Sequence, residues 1–192
     1  VAGRGIRLLR EKGLEVVAGV LRGECERQNE VFFHFMRTKL PFTVLKYAMT
    51  LDGKTATVSG KSQWITGEAA RKRVHEDRER YMAILTGVST VLADNPQLTC
   101  RIPGGKNPIR VIADTKLRTP LSSTVVQTAR ETPTWIVTAV SDVGRKEAYE
   151  DAGCRVLSVP AKEGELDLQA MMQRLGEEKV DSVMVESGGT LA

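Results

Sequence analysis

The feature that most constrains this chain is the alternation, after Pro41, of short apolar runs with longer amphipathic segments. The apolar runs are rich in residues that favour strands, and they are FTVLKYAMTL, MAILTG, IRVIAD, TWIVTA, CRVLSV and DSVMVES. The segments between them carry apolar residues at helical spacing, as in EAARKRVHEDRERY, VSTVLAD, GRKEAYEDAG and LDLQAMMQRLGEE. Strands and helices in this order predict an α/β domain with a largely parallel central sheet flanked by helices.

Individual segments carry further local signals. Apolar residues on both alternating faces of residues 42–51 predict a central strand that is covered on both sides. Thr66 is expected to be the N-cap of the helix that follows it, and residues 94–108 are expected to form a long loop. Four apolar residues of the last helix are expected to face inward: Leu168, Met171, Met172 and Leu175.

Residues 1–40 differ from the rest of the chain. They predict a short helix ended by Gly13, a brief strand over 15–20 and a second helix over 24–36. Because this unit offers little apolar surface of its own, we expect it to be the end of a larger domain together with a linking helix. A second domain is expected over residues 41–192, and it is expected to be truncated at its C-terminus, because the chain stops where a helix should begin.

Composition and charge narrow the possible functions. With 41% hydrophobic and 27% charged residues, the chain has the balance of an ordinary globular protein, and no apolar stretch is long enough for a membrane span. Cys25, Cys100 and Cys154 are widely separated, which favours reduced thiols and a cytoplasmic location. The net charge of only +4 does not favour nucleic-acid binding, and the absence of a C-x-x-C pair disfavours structural zinc.

The strongest chemical signal is the glycine pair after the last strand. The run Glu186-Ser187-Gly188-Gly189-Thr190 directly follows a buried strand. Glycine allows a sharp turn and a close approach of backbone N–H groups to an anion, and parallel sheets bind ligands at the carboxyl ends of their strands. An anion site and a plain strand-to-helix turn are equally compatible with this pattern, which is not a G-x-G-x-x-G motif.

Three cationic residues are further candidates. Lys46 lies in an apolar strand, so its ammonium should meet an anion or a polarised carbonyl oxygen, unless the strand is at an edge and the ammonium reaches water. Arg78 shares the inward row of its helix with Ala70, Val74 and Tyr81, and its guanidinium suits a phosphate or carboxylate ligand, or else an internal ion pair. Arg101, beside Cys100, is a weaker candidate of the same kind.

The end of one predicted helix and the end of one predicted strand carry weaker signals of a binding site. Asp94-Asn95-Pro96 is typical of a turn. Asp114 ends a predicted strand, and the basic residues Lys116 and Arg118 follow it. This basic pair would suit a ribose phosphate, but the sequence alone favours side chains that face water.

Taken together, these segments resemble a known enzyme family. LKYAMTLDGKTAT, SGKSQWITGEAAR, ILTGVSTVLADNPQLTCR, PIRVIADT and VMVESGGTL occur in this order, and they resemble the reductase half of the bifunctional riboflavin biosynthesis proteins, in which a deaminase is fused to a reductase. Residues 1–40 resemble the tail of the deaminase half.

The resemblance implies a dihydrofolate-reductase-like fold and a specific reaction. NADPH would reduce the ribosyl group of 5-amino-6-(5-phosphoribosylamino)uracil to ribityl, so the expected partner is a phosphorylated small molecule. The intact protein would also deaminate the preceding pyrimidine with zinc, but the H-x-E and P-C-x-x-C motifs of that step are absent here, so no metal ligand is expected in this chain. A homo-oligomer is also expected.

The resemblance also implies roles for individual residues. The implied cofactor contacts are Ala48, Trp64, Thr90, Asp94, Thr115, Gly188 and Gly189. The implied substrate contacts are Lys46, Ser62, Arg78, Leu98, Arg101 and Glu186. As catalytic residues, Lys46 is expected to polarise or protonate the ribose oxygen at C1, and Asp94 is expected to orient the cofactor. The alternatives are a pterin or folate reductase, an enzyme that reduces the undeaminated pyrimidine, and a non-catalytic module that binds phosphorylated nucleotides.

Overall fold

The computed structural model describes residues 3–59, 64–188 and 191. The helices in those residues are α1 (Arg4–Glu11), α2 (Arg22–Gln28), α3 (Glu30–Thr38), α4 (Glu68–Arg80), α5 (Val88–Asp94), α6 (Thr124–Gln127), α7 (Val143–Asp151) and α8 (Leu168–Glu177). The strands are β1 (Phe42–Leu45), β2 (Ala83–Gly87), β3 (Ile109–Ala113), β4 (Thr134–Thr138), β5 (Arg155–Ser158), β6 (Ala161–Lys162), β7 (Glu165–Leu166) and β8 (Ser182–Val185).

Six of these strands form one parallel sheet in the order β1-β8-β2-β3-β4-β5. The remaining two, β6 and β7, form a separate antiparallel hairpin. The expected α/β class with a parallel central sheet and flanking helices is therefore confirmed. No helix in the described part of the chain is both long and apolar enough to cross a membrane.

Alternation along the strands separates the core into two layers. On one face, Ile84, Ile112 and Met184 pack with residues of α5, α6 and α7. On the other face, Leu85, Val111 and Val185 pack with Met171 and Leu175 of α8. Burial of each such side chain contributes on the order of 1.5–3 kcal/mol, so the sheet and both helical layers form one rigid support for the strand ends.

The strand order places a switch point between β2 and β8. From β2 the chain adds β3, β4 and β5 outward on one side, and after α8 it returns to place β8 on the other side of β2. In open α/β sheets, ligands bind outside the carboxyl ends of the strands at such a point. The segments that follow β2 and β8, which begin at Val88 and Glu186, therefore lie at the expected ligand-binding edge.

The prediction of a central, doubly covered strand over residues 42–51 is wrong. Only residues 42–45 form β1, and in the described structure this strand pairs with β8 alone, at the edge of the sheet. Side chains of one row are partly buried, whereas Leu45, Tyr47 and Met49 of the other row are 49%, 44% and 59% exposed. Apolar residues on both faces indicated a covering layer on each face. Among the described residues, however, no layer covers the row of Leu45, Tyr47 and Met49.

The N-terminal segment also differs in part from its prediction. Residues 15–20 form no strand, because no strand among the described residues lies beside them to pair with them. The helix expected over 24–36 is divided into α2 and α3 at Asn29, whose φ of −112° lies outside the helical region. None of α1, α2 and α3 contains a buried residue.

Two predictions about helix residues and one omission also need correction. The N-cap of α4 is Gly67, not Thr66, and no side chain caps this helix. Leu168 is the first residue of α8 and is 43% exposed, because it lines a cavity, whereas Met171 and Leu175 are buried as expected. The β6–β7 hairpin was not predicted, since its strands of two residues each are too short to show an alternating pattern.

One glycine of α8 tests how the segment before β1 packs on this helix. A Cβ on Gly176 would collide with the backbone carbonyl of Lys39, so we expect Gly176→Ala to lower the free energy of unfolding by about 1–3 kcal/mol. Gly144→Ala in α7 is the matched control, because its Cβ would meet only Asp142 Oδ1 at 3.6 Å, and alanine should stabilise that helix by about 0.5 kcal/mol. Urea denaturation of both variants measures the difference. Equal effects would show that Lys39 does not pack against α8.

Candidate active site

Three adjoining cavities lie at the carboxyl ends of the parallel strands. The central cavity has a volume of about 640 Å³ and lies around Lys46, Arg78 and Glu186. The β3-side cavity, of about 310 Å³, shares Ser89, Thr90, Ser187 and Gly188 with it. The α4-side cavity, of about 200 Å³, shares Lys46, Ala48, Arg78, Arg101 and Glu186 with it. The three cavities therefore form one continuous crevice.

The crevice collects every predicted site residue that the structure describes. The central cavity is lined by Lys46, Ala48, Arg78, Thr90, Asp94, Leu98, Arg101, Glu186 and Gly188. Trp64 lines the α4-side cavity and Thr115 lines the β3-side cavity. Ser62 and Gly189 lie outside the described residues. Residues predicted from scattered segments thus meet in one place.

A bidentate ion pair between Arg78 and Glu186 forms the base of the central cavity. Arg78 Nε donates to Glu186 Oε1 at 2.7 Å, and Nη2 donates to Oε2 at 2.9 Å. Arg78 Nη1 donates to the carbonyl of Thr99 at 2.9 Å. The side chains of Arg78 and Glu186 are only 11% and 10% exposed. The inward position predicted for Arg78 is confirmed, and its main partner in this structure is an internal carboxylate.

Lys46 brings a second cation to the same carboxylate. It directly follows β1, and its backbone N–H donates to the carbonyl of Val185. Its Nζ lies 3.6 Å from Glu186 Oε2, and its side chain is 32% exposed. The ammonium therefore faces the cavity with one anionic neighbour and partial access to water. This arrangement leaves it free to donate to a ligand.

Helix α5 supplies the wall shared by the central and β3-side cavities. Ser89 and Thr90, in its first turn, line both cavities, and the exposed Asp94 at its end lines the central one. Leu98 has a left-handed φ of 53° and a side chain that is 3% exposed. The Leu98 side chain belongs to the hydrophobic core, so a contact of this residue with a ligand would come from its backbone.

The long loop after α5, as expected over residues 94–108, is held to the sheet by a buried arginine. Arg110 is fully buried in β3, and its Nη1 donates to the carbonyl of Gln97 at 3.2 Å. Nη1 also donates to the Thr128 hydroxyl, and Nη2 donates to the carbonyls of Val125, Thr128 and Thr132. Burial lowers the pKa of the Arg110 guanidinium to about 10, so this group stays charged at neutral pH. Arg110 was not among the predicted site residues.

The β3-side cavity contains a braced turn that presents a cation. Asp114 Oδ2 accepts hydrogen bonds from the backbone N–H and the hydroxyl of Thr119, both at 2.7 Å. The Tyr149 hydroxyl donates to the Thr119 carbonyl at 2.7 Å. Arg118 lies between Asp114 and Thr119 in the chain, and its exposed side chain lines the cavity. Of the basic pair in this turn, Arg118 therefore faces the crevice, whereas the exposed Lys116 is not among the lining residues.

Glu165, in the unpredicted hairpin, also lines the β3-side cavity. Its Oε2 accepts a hydrogen bond from the Thr115 hydroxyl at 3.3 Å. The hairpin turn has positive φ at Glu163 and Gly164, and the glycine adopts this conformation without steric cost. The turn therefore brings a carboxylate and the buried Leu166 against the end of β3.

One face of α4 lines the α4-side cavity. Arg71, His75 and Arg78, at i, i+4 and i+7, all line it, as expected for residues on one helical face. Arg71 Cζ lies 4.6 Å from the centroid of the Trp64 ring, and its Nη1 donates to the Thr66 carbonyl at 2.7 Å. Arg71 and His75 were not among the predicted site residues, although their spacing from Arg78 indicated a shared face.

The chemistry of the crevice suits polar, anionic ligands. Three cations line the central cavity, Lys46, Arg78 and Arg101, and the carboxylates that line it are Glu186 and Asp94. Within residues 3–59, 64–188 and 191, no group of three or more His, Cys, Asp or Glu side chains is placed to hold a metal ion. The central and β3-side cavities adjoin beside Thr90 and Gly188.

Comparison with known proteins supports a common architecture. A RibD, named as a riboflavin biosynthesis protein, of Actinobacillus pleuropneumoniae is 50% identical over 191 residues, which span 100% of this chain and 51% of the relative. A deaminase/5-amino-6-(5-phosphoribosylamino)uracil reductase of Thermotoga maritima superposes with a TM-score of 0.79 at 36% identity, over 97% of this chain and 50% of that one. A RibD of Acinetobacter baumannii superposes with a TM-score of 0.81 at 32% identity, over 100% and 52% of the two chains.

The chain thus spans about half the length of these relatives. The family model described as the RibD C-terminal domain matches residues 41–192, which contain the whole sheet and all three cavities. The agreement extends over the entire fold that supports the crevice. This chain belongs to the RibD C-terminal domain family, and it corresponds to the reductase half of the RibD proteins.

Proposed function

We propose that this protein uses NADPH to reduce the ribosyl group of 5-amino-6-(5-phosphoribosylamino)uracil to ribityl. The observation that carries the proposal is the continuous crevice at the switch point, in which Lys46, Arg78 and Glu186 meet Thr90 and Gly188. A reductase of this kind must hold a nicotinamide cofactor and a phosphorylated substrate in contact. Orientation of two reactants at attack distance can contribute on the order of 7–11 kcal/mol to catalysis.

We assign the cofactor to the β3-side cavity and its junction with the central one. Thr90, Ser187 and Gly188 offer hydroxyl and backbone groups at this junction. Thr115 and the cation Arg118 line the far end of the β3-side cavity. A guanidinium on a braced turn suits the 2′-phosphate that distinguishes NADPH from NADH.

We assign the substrate to the central cavity and the α4-side cavity. Arg101 is exposed there and lines both cavities, and Arg78 has two N–H groups beyond the three hydrogen bonds that it donates internally. These donors fit a phosphate or a uracil carbonyl. The Glu186 carboxylate and the Lys46 ammonium then face the ribose between the phosphate and the cofactor.

In the proposed reaction, Lys46 donates a proton to O4′, the ring oxygen of the ribose. NADPH, when bound, would supply a hydride to C1 of the ribose. The C1–O4′ bond breaks, and O4′ must gain a proton to become a hydroxyl. Lys46 Nζ is the donor that we place at this oxygen, and Glu186, 3.6 Å away, holds the ammonium in position. Asp94 lines the same cavity and is assigned to orient the cofactor.

The remaining proposals concern the whole protein. We assign deamination and its zinc to a region outside this chain, because the H-x-E and P-C-x-x-C motifs are absent from its sequence. We also propose that the protein works in the cytoplasm as a homo-oligomer. Light scattering of the purified protein tests the association, and a monomeric mass at working concentration would contradict it.

The decisive experiment is an assay of NADPH oxidation. The purified protein is mixed with NADPH and the deaminated pyrimidine, and the loss of reduced nicotinamide absorbance is followed. We expect oxidation with this substrate, and little with the undeaminated pyrimidine, dihydropterin or dihydrofolate. Binding of the substrate without turnover would support a non-catalytic binding module, and preference for a folate would support the alternative reductase.

Cofactor choice has its own test in the braced turn. Arg118→Ala is expected to lower the preference for NADPH over NADH by roughly 10- to 100-fold, because a charge-assisted contact with the 2′-phosphate contributes about 1.5–3 kcal/mol. Lys116→Ala is the matched control, because Lys116 is exposed in the same turn but is not among the described residues that line the cavity. Dissociation constants for both cofactors measure the preference. An equal loss in both variants would indicate a general charge effect.

A further inference from the structure

The loop that carries Arg101 is fastened to one face of α4. Arg78 Nη1 donates to the Thr99 carbonyl at 2.9 Å, and the Cys100 thiol donates to the His75 carbonyl at 3.5 Å. The backbone N–H of Arg101 donates to His75 Nδ1 at 3.3 Å. Three successive loop residues are thus tied to two residues of the same helix, and the last tie depends on an imidazole nitrogen.

From this geometry we infer that His75 is a positioning residue. Its Nδ1 holds the backbone of Arg101 and thereby directs the Arg101 side chain toward the anion-binding crevice. The inference rests on the proposed function only in that Arg101 is assigned to the substrate anion. His75 itself need not contact the ligand.

The hydrogen bond from the Arg101 backbone N–H to His75 Nδ1 forms only while the imidazole is neutral. Nδ1 accepts a hydrogen bond when the ring proton is on Nε2, whereas a protonated ring presents an N–H at both nitrogens. With an N–H on Nδ1, the backbone N–H of Arg101 would face another donor, and the loop would have to move. Acidification is therefore expected to release residue 101 from α4.

The surroundings of the imidazole favour the neutral form. The charged groups that line the α4-side cavity with it are Arg71 and Arg78 on α4, Arg101 on the loop, Lys46 after β1 and Glu186 after β8. Burial, followed by the charges of Arg78 and Arg101, lowers the pKa of His75, and the Thr99 backbone and Glu186 act in the opposite direction. The ring is therefore neutral at pH 7 and its Nδ1 is available as an acceptor.

Two substitutions of His75 distinguish the loss of the hydrogen-bond acceptor from the loss of its titration. Asn places its Oδ1 near the position of His Nδ1, so His75→Asn keeps an acceptor that does not titrate, whereas His75→Leu removes the acceptor. The first measurement is the backbone amide signal of Arg101 in ¹H–¹⁵N spectra from about pH 8 to about pH 5, the range in which histidine titrates. The signal should follow the His75 ring in the unaltered protein and stay constant in His75→Asn.

The second measurement is calorimetric titration with sulfate, whose charge is constant over this range. At about pH 8, His75→Leu is expected to bind sulfate roughly three- to tenfold more weakly, as for the loss of one hydrogen bond, and His75→Asn should bind within about twofold of the unaltered protein. On acidification, the unaltered protein should lose affinity relative to His75→Asn. Circular dichroism confirms that both variants are folded.

Each outcome decides the inference. If the Arg101 amide signal does not change as His75 titrates, the inference is overturned, regardless of the sulfate affinities. A gain of sulfate affinity relative to His75→Asn on acidification would show that His75 acts as a binding cation, which also overturns it. If sulfate binds none of the proteins, the anion site of the proposed function fails, and the amide signal alone still decides the role of His75.

Discussion

Substitution of Lys46 by methionine is expected to slow the proposed reduction by about 10²- to 10³-fold, as for the loss of one donor to a developing oxyanion. Methionine keeps most of the aliphatic stem, so the cavity retains its shape while the ammonium is removed. The ion pair with Glu186 is 3.6 Å long and the Lys46 side chain is 32% exposed, so stability should change by less than about 1 kcal/mol. Steady-state kinetics with NADPH measure the effect.

Lys72→Met provides the control for this substitution. Lys72 is exposed on α4 and is not among the described residues that line the three cavities, so its loss should leave turnover unchanged. The loss in Lys46→Met should fall on kcat more than on KM, because the ammonium serves the transition state. An unchanged kcat in Lys46→Met would remove Lys46 from the catalytic step.

Substitution of Glu186 by leucine is expected to destabilise the fold by about 3–5 kcal/mol, because it leaves the buried Arg78 without its carboxylate. The Arg78 side chain is 11% exposed, and two of its three hydrogen bonds are to Glu186. At this exposure, water in the cavity replaces them only in part. Urea denaturation measures the free energy of unfolding.

A double-mutant cycle distinguishes this cause from a packing defect. Removal of both charges in Arg78→Leu with Glu186→Leu should be less destabilising than the sum of the single changes, since neither partner is left buried alone. Additive costs would show that the two side chains do not interact. A cost below about 1 kcal/mol for Glu186→Leu would show that Arg78 reaches water.

Much of the site was predictable because its residues lie at the ends of recognisable elements. Thr115 follows β3 and Glu186 follows β8, and the carboxyl ends of parallel strands share one edge of the sheet. Lys46 was expected inside its strand, whereas it follows β1. Arg78 was predicted to face inward from the helical period of α4, and it does so. Local periodicity therefore identified Arg78, whereas the roles of Thr115 and Glu186 were implied by the resemblance to the reductase family.

Other features were not predictable, because they depend on contacts between distant segments. The apolar residues after Pro41 indicated a strand covered on both faces, yet β1 lies at the edge of the sheet as described. Arg110 resembled any other residue of a strand, and only the fold shows that it anchors the loop at Gln97. The β6–β7 hairpin brings Glu165 to Thr115, and no local pattern indicates that approach.

The amino-acid sequence by itself determined the alternation of strands and helices, and hence a parallel sheet whose strand ends carry the reactive side chains. Only the tertiary structure decided that β8 lies beside β2, which places Glu186 against Arg78, 108 positions earlier in the chain. The physical reason is that periodicity reports which face of an element is buried. Strand order depends instead on hydrogen bonds and packing between segments that are far apart in the chain.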